Sequence, residues 1–268
     1  MPQPQPQPQP QPHPAMAAGA APTLAVTELA KSFGGVRAVQ GVSFAVHPGE
    51  MLALIGPNGA GKSTCFNMLN GQLRPDAGTV RLGGRDITGM APRRVWRQGV
   101  GRTFQVTATF GSMTVRENVQ MALLSHAGRL GGLWRPMAGQ HAAAADALLA
   151  RVGMALQAAR PCGVLAYGDL KRVELAVALA NDPRLLLMDE PTAGMAPAER
   201  VALMALTAGI ARERAIAVLF TEHDMDVVFA HADRILVLDR GRLIAQGAPA
   251  DVRADPLVRQ VYLGSAAP

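Results

Sequence analysis

Cysteine, tryptophan and tyrosine occur only twice each in the 268 residues, and all aromatic residues together make up 4%. Two thiols, Cys65 and Cys162, cannot build a disulfide framework or a thiolate metal cluster, so both are expected to be reduced and structural. The scarcity of rings leaves few platforms on which bases could stack. A net charge of +6, from 26 basic and 20 acidic residues, therefore argues only weakly for nucleic acid and suits a nucleotide or an anionic membrane surface as well. Long apolar runs are missing too: Met51–Ile55 and Leu185–Met188 have the length of buried strands, against the roughly 18 residues needed to cross a bilayer. Residues 1–30 contain neither Lys nor Arg, and the small apolar stretch Ala15–Ala21 is short for a secretory leader. These absences predict a cytoplasmic protein that does not span a membrane by itself.

The residues that are present, 49% hydrophobic and 17% charged with 28 Gly and 20 Pro, describe a globular chain with one sizeable core. Residues 1–14 alternate Pro and Gln almost without exception, which favours extended polyproline II and lacks apolar groups to drive folding, so a disordered tail is expected over 1–22. Short antiparallel strands are expected at Leu24–Val26, Val36–Val39 and Val42–Val46, closed by the turn His47–Glu50. Met51–Ile55 reads as a buried strand, followed by a glycine loop and a helix that ends near Leu69–Gly71. From about 105 to 180 the pattern turns helical, with segments at Val115–Leu124, Ala142–Val152 and Leu170–Ala180 and a Gly-rich break at Gly128–Gly139. A β-α-β rhythm then returns: an apolar run ending at Asp189-Glu190, a helix around Pro197–Ile210 and a strand over Ala215–Phe220. Arg234–Leu238 and Arg242–Ala245 follow as a hairpin turned by Asp239-Arg240-Gly241, and no internal repeat is visible.

Two stretches carry chemistry. Gly56-Pro57-Asn58-Gly59-Ala60-Gly61-Lys62-Ser63, with Thr64 after it, fits the P-loop pattern G-x-x-x-x-G-K-S between a strand and a helix, where backbone amides and the helix dipole converge on an anion. Its glycines let the backbone wrap phosphate, Lys62 brings charge to the β and γ phosphates, and Ser63 offers a hydroxyl to Mg²⁺. Further along, Leu185–Met188 deliver Asp189 and Glu190 to the C-terminal end of a strand, where open α/β sheets place their ligands. Neighbouring strand residues point opposite ways, so the two acids are expected to divide the work: Asp189 in the Mg²⁺ shell, Glu190 polarising the attacking water.

With these residues in this order, the chain from about 23 to 264 closely resembles the nucleotide-binding subunit of an ABC transporter. That resemblance implies an α/β fold, a P-loop NTPase (RecA-like) core with an antiparallel β subdomain and an inserted helical subdomain at about 105–180, leaving 265–268 as a tail. It implies ATP and Mg²⁺ as cofactors. It assigns Gln105, in Arg102-Thr103-Phe104-Gln105, to Mg²⁺, water and the sensing of a membrane subunit; His223, in Thr221-Glu222-His223-Asp224, to the γ-phosphate; and Phe33 to adenine stacking. The family signature Leu-Ser-Gly-Gly-Gln corresponds to Leu165-Ala166-Tyr167-Gly168-Asp169, at a helix N-terminus that caps the phosphate bound by a second subunit. Here Ala166 brings no hydroxyl and Asp169 puts a carboxylate near an anion, so weakened but retained hydrolysis is expected. Ala196, in the D-loop Ala193-Gly194-Met195-Ala196, stands where the family generally has Asp, which implies altered communication between two ATP sites or a partner that supplies the missing group.

Within the family the chain is most similar to the branched-chain amino acid (LIV-type) uptake branch, on Arg102–Gln105, Met113–Val119, Leu165–Gly168 and the terminal Tyr262-Leu263-Gly264. Urea/amide importers and the lipopolysaccharide-export ATPase share parts of this set. The resemblance therefore implies an ATPase peripheral to the cytoplasmic face of the inner membrane, partnered by integral permease subunits, a second ATP-binding subunit and, indirectly, a substrate-binding protein, with no nucleic acid. Residues around Gln105–Val119 are expected to receive a coupling helix of the permease. A soluble ABC ATPase acting on DNA or the ribosome is the rival from another class; tandem cassettes or coiled-coil insertions would mark it, and the chain shows one cassette and no sustained heptads.

Overall fold

Apolar residues alternate with polar ones from Leu24, and that period of two builds a half-buried antiparallel sheet. The computed structural model describes residues 21–103, 109–127, 139 and 141–263; the Pro/Gln segment, Gln105 and the break at 128–138 lie outside the described residues. β1 (Leu24–Phe33) pairs with β2 (Val36–Val46) and with β4 (Ala77–Leu82), and β5 (Arg85–Asp86) closes a sheet of order β2-β1-β4-β5. Leu24 faces Val46 and Val26 faces Phe44, so buried side chains of the two strands meet on one face. The two segments expected at Val36–Val39 and Val42–Val46 are a single strand, with register shifts in β1 around Leu29 and Lys31 absorbing the irregularity.

The second sheet has the order β10-β9-β3-β8-β7-β6. β3 (Met51–Ile55), β6 (Val100–Thr103), β7 (Leu185–Asp189), β8 (Ala217–Thr221) and β9 (Arg234–Asp239) run parallel, and β10 (Arg242–Gly247) is an antiparallel edge. Its central strands β3 and β8 are buried at every position because both faces are covered. Leu52, Leu54, Leu185, Leu187, Leu219 and Leu236 pack with the antiparallel sheet and with α1 (Lys62–Leu69). Their neighbours Ala53, Ile55, Leu186, Met188, Val218, Phe220 and Val237 pack against helices on the other side.

Those helices are α3 (Val115–His126), α4 (Ala142–Arg151) and α5 (Tyr167–Leu179), which lie between β6 and β7 in the chain, followed by α6 (Pro197–Glu213) and α7 (Met225–His231). α2 (Pro92–Arg97), α8 (Pro249–Ala254) and α9 (Pro256–Val258) complete the described α-helices. α3 opens with a capping box, Thr114 Oγ1 accepting from Glu117 N at 3.2 Å while the Glu117 carboxylate accepts from Thr114 N at 2.7 Å. Cys65 and Cys162 are both fully buried and unpaired, the first in α1 and the second just before α5. No described helix is long and apolar enough to cross a membrane.

Candidate nucleotide site

Parallel register brings the two chemical segments to one edge of the sheet. Ala53 of β3 and Met188 of β7 are both level with Phe220 of β8, the strand between them. The residues that follow, Gly56 on one side and Asp189-Glu190 on the other, leave the C-terminal edge together, two strand spacings or about 10 Å apart.

The loop between β3 and α1 is shaped by close backbone approach. Gly61 has φ +105°, and a Cβ there would lie 2.4 Å from the Ala38 carbonyl oxygen; at Gly56 it would lie 2.2 Å from that of Leu238. Any side chain at either position must displace β2 or β9. Lys62, the first residue of α1, is 8% exposed, and its Nζ donates to the carbonyl oxygens of Gly56 at 2.7 Å and Pro57 at 3.2 Å. Burial lowers its pKa, while the negative charges of Glu190 and then Asp189 oppose the shift, which places ammonium and carboxylates within each other's field. Ser63 is exposed beside it, in the first turn of the helix. Asn58, Gly59 and Ala60 also border an open cleft of about 620 Å³ whose far wall is Leu257, Gln260 and Val261.

Asp189 closes β7 and accepts from Thr221 Oγ1 at 2.7 Å, with the Arg102 guanidinium 3.7 Å from its other oxygen. Glu190 has left the strand: its φ is +48°, a conformation a β-carbon disfavours by about 1–2 kcal/mol. It is pinned there by its own N–H, which donates to Thr221 O at 3.2 Å and Thr221 Oγ1 at 3.1 Å. The turn aims the Glu190 carboxylate at His223, whose Nε2 lies 2.7 Å from Oε1. His223 is half exposed and Glu190 mostly covered, so acid and imidazole form a pair at the rim of the sheet. Buried Glu222 accepts from both the N–H and the hydroxyl of Thr192 at 2.8 and 2.7 Å, tying the chain after Glu190 to the end of β8.

The other sequence candidates are arranged around this centre. Ala166 is the N-cap of α5 with no side-chain hydrogen bond, and Asp169 lies in the first turn. A Cβ on buried Gly168 would meet Glu199 Oε1 at 2.9 Å, and one on Gly194 would lie 3.5 Å from the Tyr167 ring, so the signature segment lies against the D-loop and the start of α6. Ala196 is the N-cap of α6; Glu199 reaches back to its N–H at 3.4 Å, and alanine has no oxygen to reciprocate. Phe33 ends β1, half exposed, with Lys31 Nζ 5.7 Å from its ring centre. Gln105 lies outside the described residues.

Sequence reasoning assigned no role to Thr221, Arg102, Arg200 or the Thr192–Glu222 pair. Thr221 could have been found: a hydroxyl at the end of a buried apolar strand demands a partner, and the neighbouring parallel strand ends in a carboxylate. Arg200 sits in an amphipathic helix pattern and looks like a solvated face.

A phosphate loop opening a helix, level with paired carboxylates on a parallel sheet, defines a P-loop nucleotide-binding protein. The family model described as ABC transporter matches residues 39–193, and the chain belongs to that family as one of its ATP-binding cassettes, an ATPase coupled to transport. A second model, described as branched-chain amino acid ATP-binding cassette transporter, matches residues 242–268. The chain is 39% identical over 252 residues to the high-affinity branched-chain amino acid transport ATP-binding protein BraF of Pseudomonas aeruginosa, covering 91% of this chain and 99% of that one. Against LivG of Escherichia coli K12, which carries the same description, the figures are 38%, 91% and 99%. Among solved structures, the ADP conformation of MJ1267, an ATP-binding cassette of an ABC transporter, superimposes with a TM-score of 0.83 at 32% identity, covering 91% of this chain and all 100% of the other. A nucleotide-free cassette from an ABC transporter gives 0.81 at 31% identity, over 90% and 99% of the two chains.

Proposed function

We propose that this chain binds Mg-ATP at Gly56–Thr64, hydrolyses it with Glu190 and His223, and so drives the import of branched-chain amino acids through membrane permease subunits. The observation that carries the chemistry is the Glu190–His223 pair, 2.7 Å apart on a strained turn level with the phosphate loop. The cargo rests on BraF and LivG and on the match of residues 242–268.

On nucleotide entry the Lys62 ammonium exchanges two neutral carbonyl partners for phosphate oxygens, a charge-assisted and stronger bond. The amides of the first turn of α1 take the β-phosphate. Exposed Ser63 and partly exposed Asp189 offer hard oxygen donors, and no described cluster of three His, Cys, Asp or Glu competes as a closed metal cage; that donor set fits Mg²⁺, which prefers one or two protein oxygens beside phosphate and water. Bound there, the ion would neutralise charge on the β and γ oxygens. Glu190 then orients the attacking water and accepts hydrogen bonding from it, while His223 holds the carboxylate and reaches the γ-phosphate.

The N-terminus of the signature helix α5 carries no side-chain cap, so a second cassette, placed head to tail, would present its own α5 amides to this ATP. Phe110 and Val164, 57% and 62% exposed, stand beside the touching backbones of Gly111 and Gly163 and form the apolar patch for a permease coupling helix, with Gln105 nearby in the chain. In this reading the protein sits peripherally at the cytoplasmic face of the membrane, and a binding protein delivers the amino acid to the permeases from the other side.

The test is phosphate release from ATP by the purified chain and by Glu190→Gln, with leucine uptake into vesicles carrying the co-purified membrane subunits. A fall of about 10²-fold or more in Glu190→Gln, with ATP still bound, is expected. Unchanged turnover in that variant removes the catalytic assignment, and vesicles that accumulate no branched-chain amino acid remove the cargo.

A further inference from the structure

Five contacts form a closed ring around the hydrolytic pair. The Glu190 carbonyl accepts from Ala193 N at 3.2 Å and the Thr192 carbonyl accepts from Met195 N at 3.1 Å, so the chain after the carboxylate folds into two tight turns. The Met195 carbonyl accepts from Arg200 Nε at 2.8 Å, and the same guanidinium donates through a second nitrogen to Asp224 Oδ2 at 2.6 Å. Asp224 adjoins His223, whose ring returns to Glu190 at 2.7 Å. The remaining Asp224 oxygen caps α7 by accepting from Asp226 N and Val227 N at 3.1 and 3.3 Å.

We propose that Arg200 is a positioning residue for ATP hydrolysis: it fastens the D-loop carbonyl of Met195 to the segment carrying His223, so that displacement of the D-loop is passed to the Glu190–His223 pair. The inference rests on the functional reading of Glu190 and His223 given above. Isolated ion pairs at 31% and 29% exposure contribute little. This one differs in geometry, since the planar fork uses separate nitrogens on two partners that belong to different loops, which a lysine ammonium on a flexible stem cannot hold with the same direction. The deeper Thr192–Glu222 contact fixes where the loop begins; Arg200 governs where it ends. Ala196 brings no polar group to this stretch, so among the described side-chain contacts the ring passes through Arg200.

Arg200→Gln, Arg200→Lys and Asp224→Asn, each alone and combined with His223→Ala, would be assayed in the full chain by single-turnover phosphate release, with ATP affinity measured separately. Asparagine caps a helix as well as aspartate does, so Asp224→Asn loses the charged partner and keeps α7. Expected are falls of about tenfold in the turnover constant for Arg200→Gln and Asp224→Asn, ATP affinity within about twofold, and no recovery with Arg200→Lys. In the His223→Ala background neither change should lower the rate further, a non-additivity that a merely structural role would not produce. Melting profiles accompany each variant; if Arg200→Gln fails to fold, Asp224→Asn decides. Wild-type turnover in Arg200→Gln and Asp224→Asn, or losses that multiply with that of His223→Ala, overturns the inference. Wild-type turnover in His223→Ala and Glu190→Gln would instead overturn the catalytic reading, and the ring with it.

Discussion

Lys62 holds its ammonium against two carbonyl oxygens in a nearly closed setting, with both strand-end carboxylates in range. Lys62→Ala removes the charge that phosphate would meet and should weaken ATP binding by at least about tenfold, measured by equilibrium binding of a fluorescent nucleotide. The two thiols give a control on the same preparation. Burial pushes the Cys65 thiol up to about 12 and also raises that of Cys162, so native protein at neutral pH should resist a thiol reagent until denaturant releases two equivalents. Ala166 caps α5 without a side-chain bond, so Ala166→Ser should stabilise the helix and raise hydrolysis a few-fold in phosphate-release assays. An unchanged or lower rate would show that the hydroxyl absent from position 166 does not limit hydrolysis. Most of these residues were visible in the linear pattern, because the spacing of the P-loop and of the acid pair is itself chemical. Thr221, Glu222 and Arg200 were not, since their partners lie on other strands and loops and only the parallel register brings them together.

Among the elements, local pattern and tertiary context diverge in informative places. β6 contains only Val100–Thr103, with Gly101 inside it, and gains strand form from pairing with β7 rather than from propensity. α5 begins at Tyr167, earlier than the apolar period from Leu170 suggests, because Gly168 must lie flush against Glu199 and so hides the first turn from any propensity argument. α7 has seven residues and no strong period, and depends on the Asp224 cap. Met113–Val119, by contrast, is legible for a structural reason: it encodes the Thr114–Glu117 box and Asn118, whose side chain binds the Phe110 backbone. Thr114→Ala should cost about 1 kcal/mol in urea unfolding. The Glu117 carboxyl titrates below its ordinary range because the Thr114 N–H and hydroxyl favour its charged form. Its contribution is thus present above the unfolded carboxyl's pKa and is lost as the pH falls through the lowered one, so the difference between wild type and Thr114→Ala should narrow on acidification.

At the level of the whole molecule, alternate residues of β3, β7, β8 and β9 supply two cores, one beneath the antiparallel sheet and one beneath the helices. Each fully buried Leu or Ile in these strands is worth roughly 1.5–3 kcal/mol, so the sheet is held rigid from both sides whatever its rim binds. Fold and metal should therefore separate: chelating Mg²⁺ is expected to stop hydrolysis while leaving the melting temperature of nucleotide-free protein unchanged, and a large fall on chelation would reveal a structural ion that no cluster of His, Cys, Asp and Glu among the described residues accounts for. The same frame explains why Gly61 is wedged between the Ala38 carbonyl and Gly241, segments drawn from opposite ends of the chain. A cradle clamped in this way has surrendered its conformational freedom before any guest arrives. Swinging one lysine aside is then the principal rearrangement of welcome, so calorimetric titration should record an enthalpy-led association with little penalty for ordering the loop.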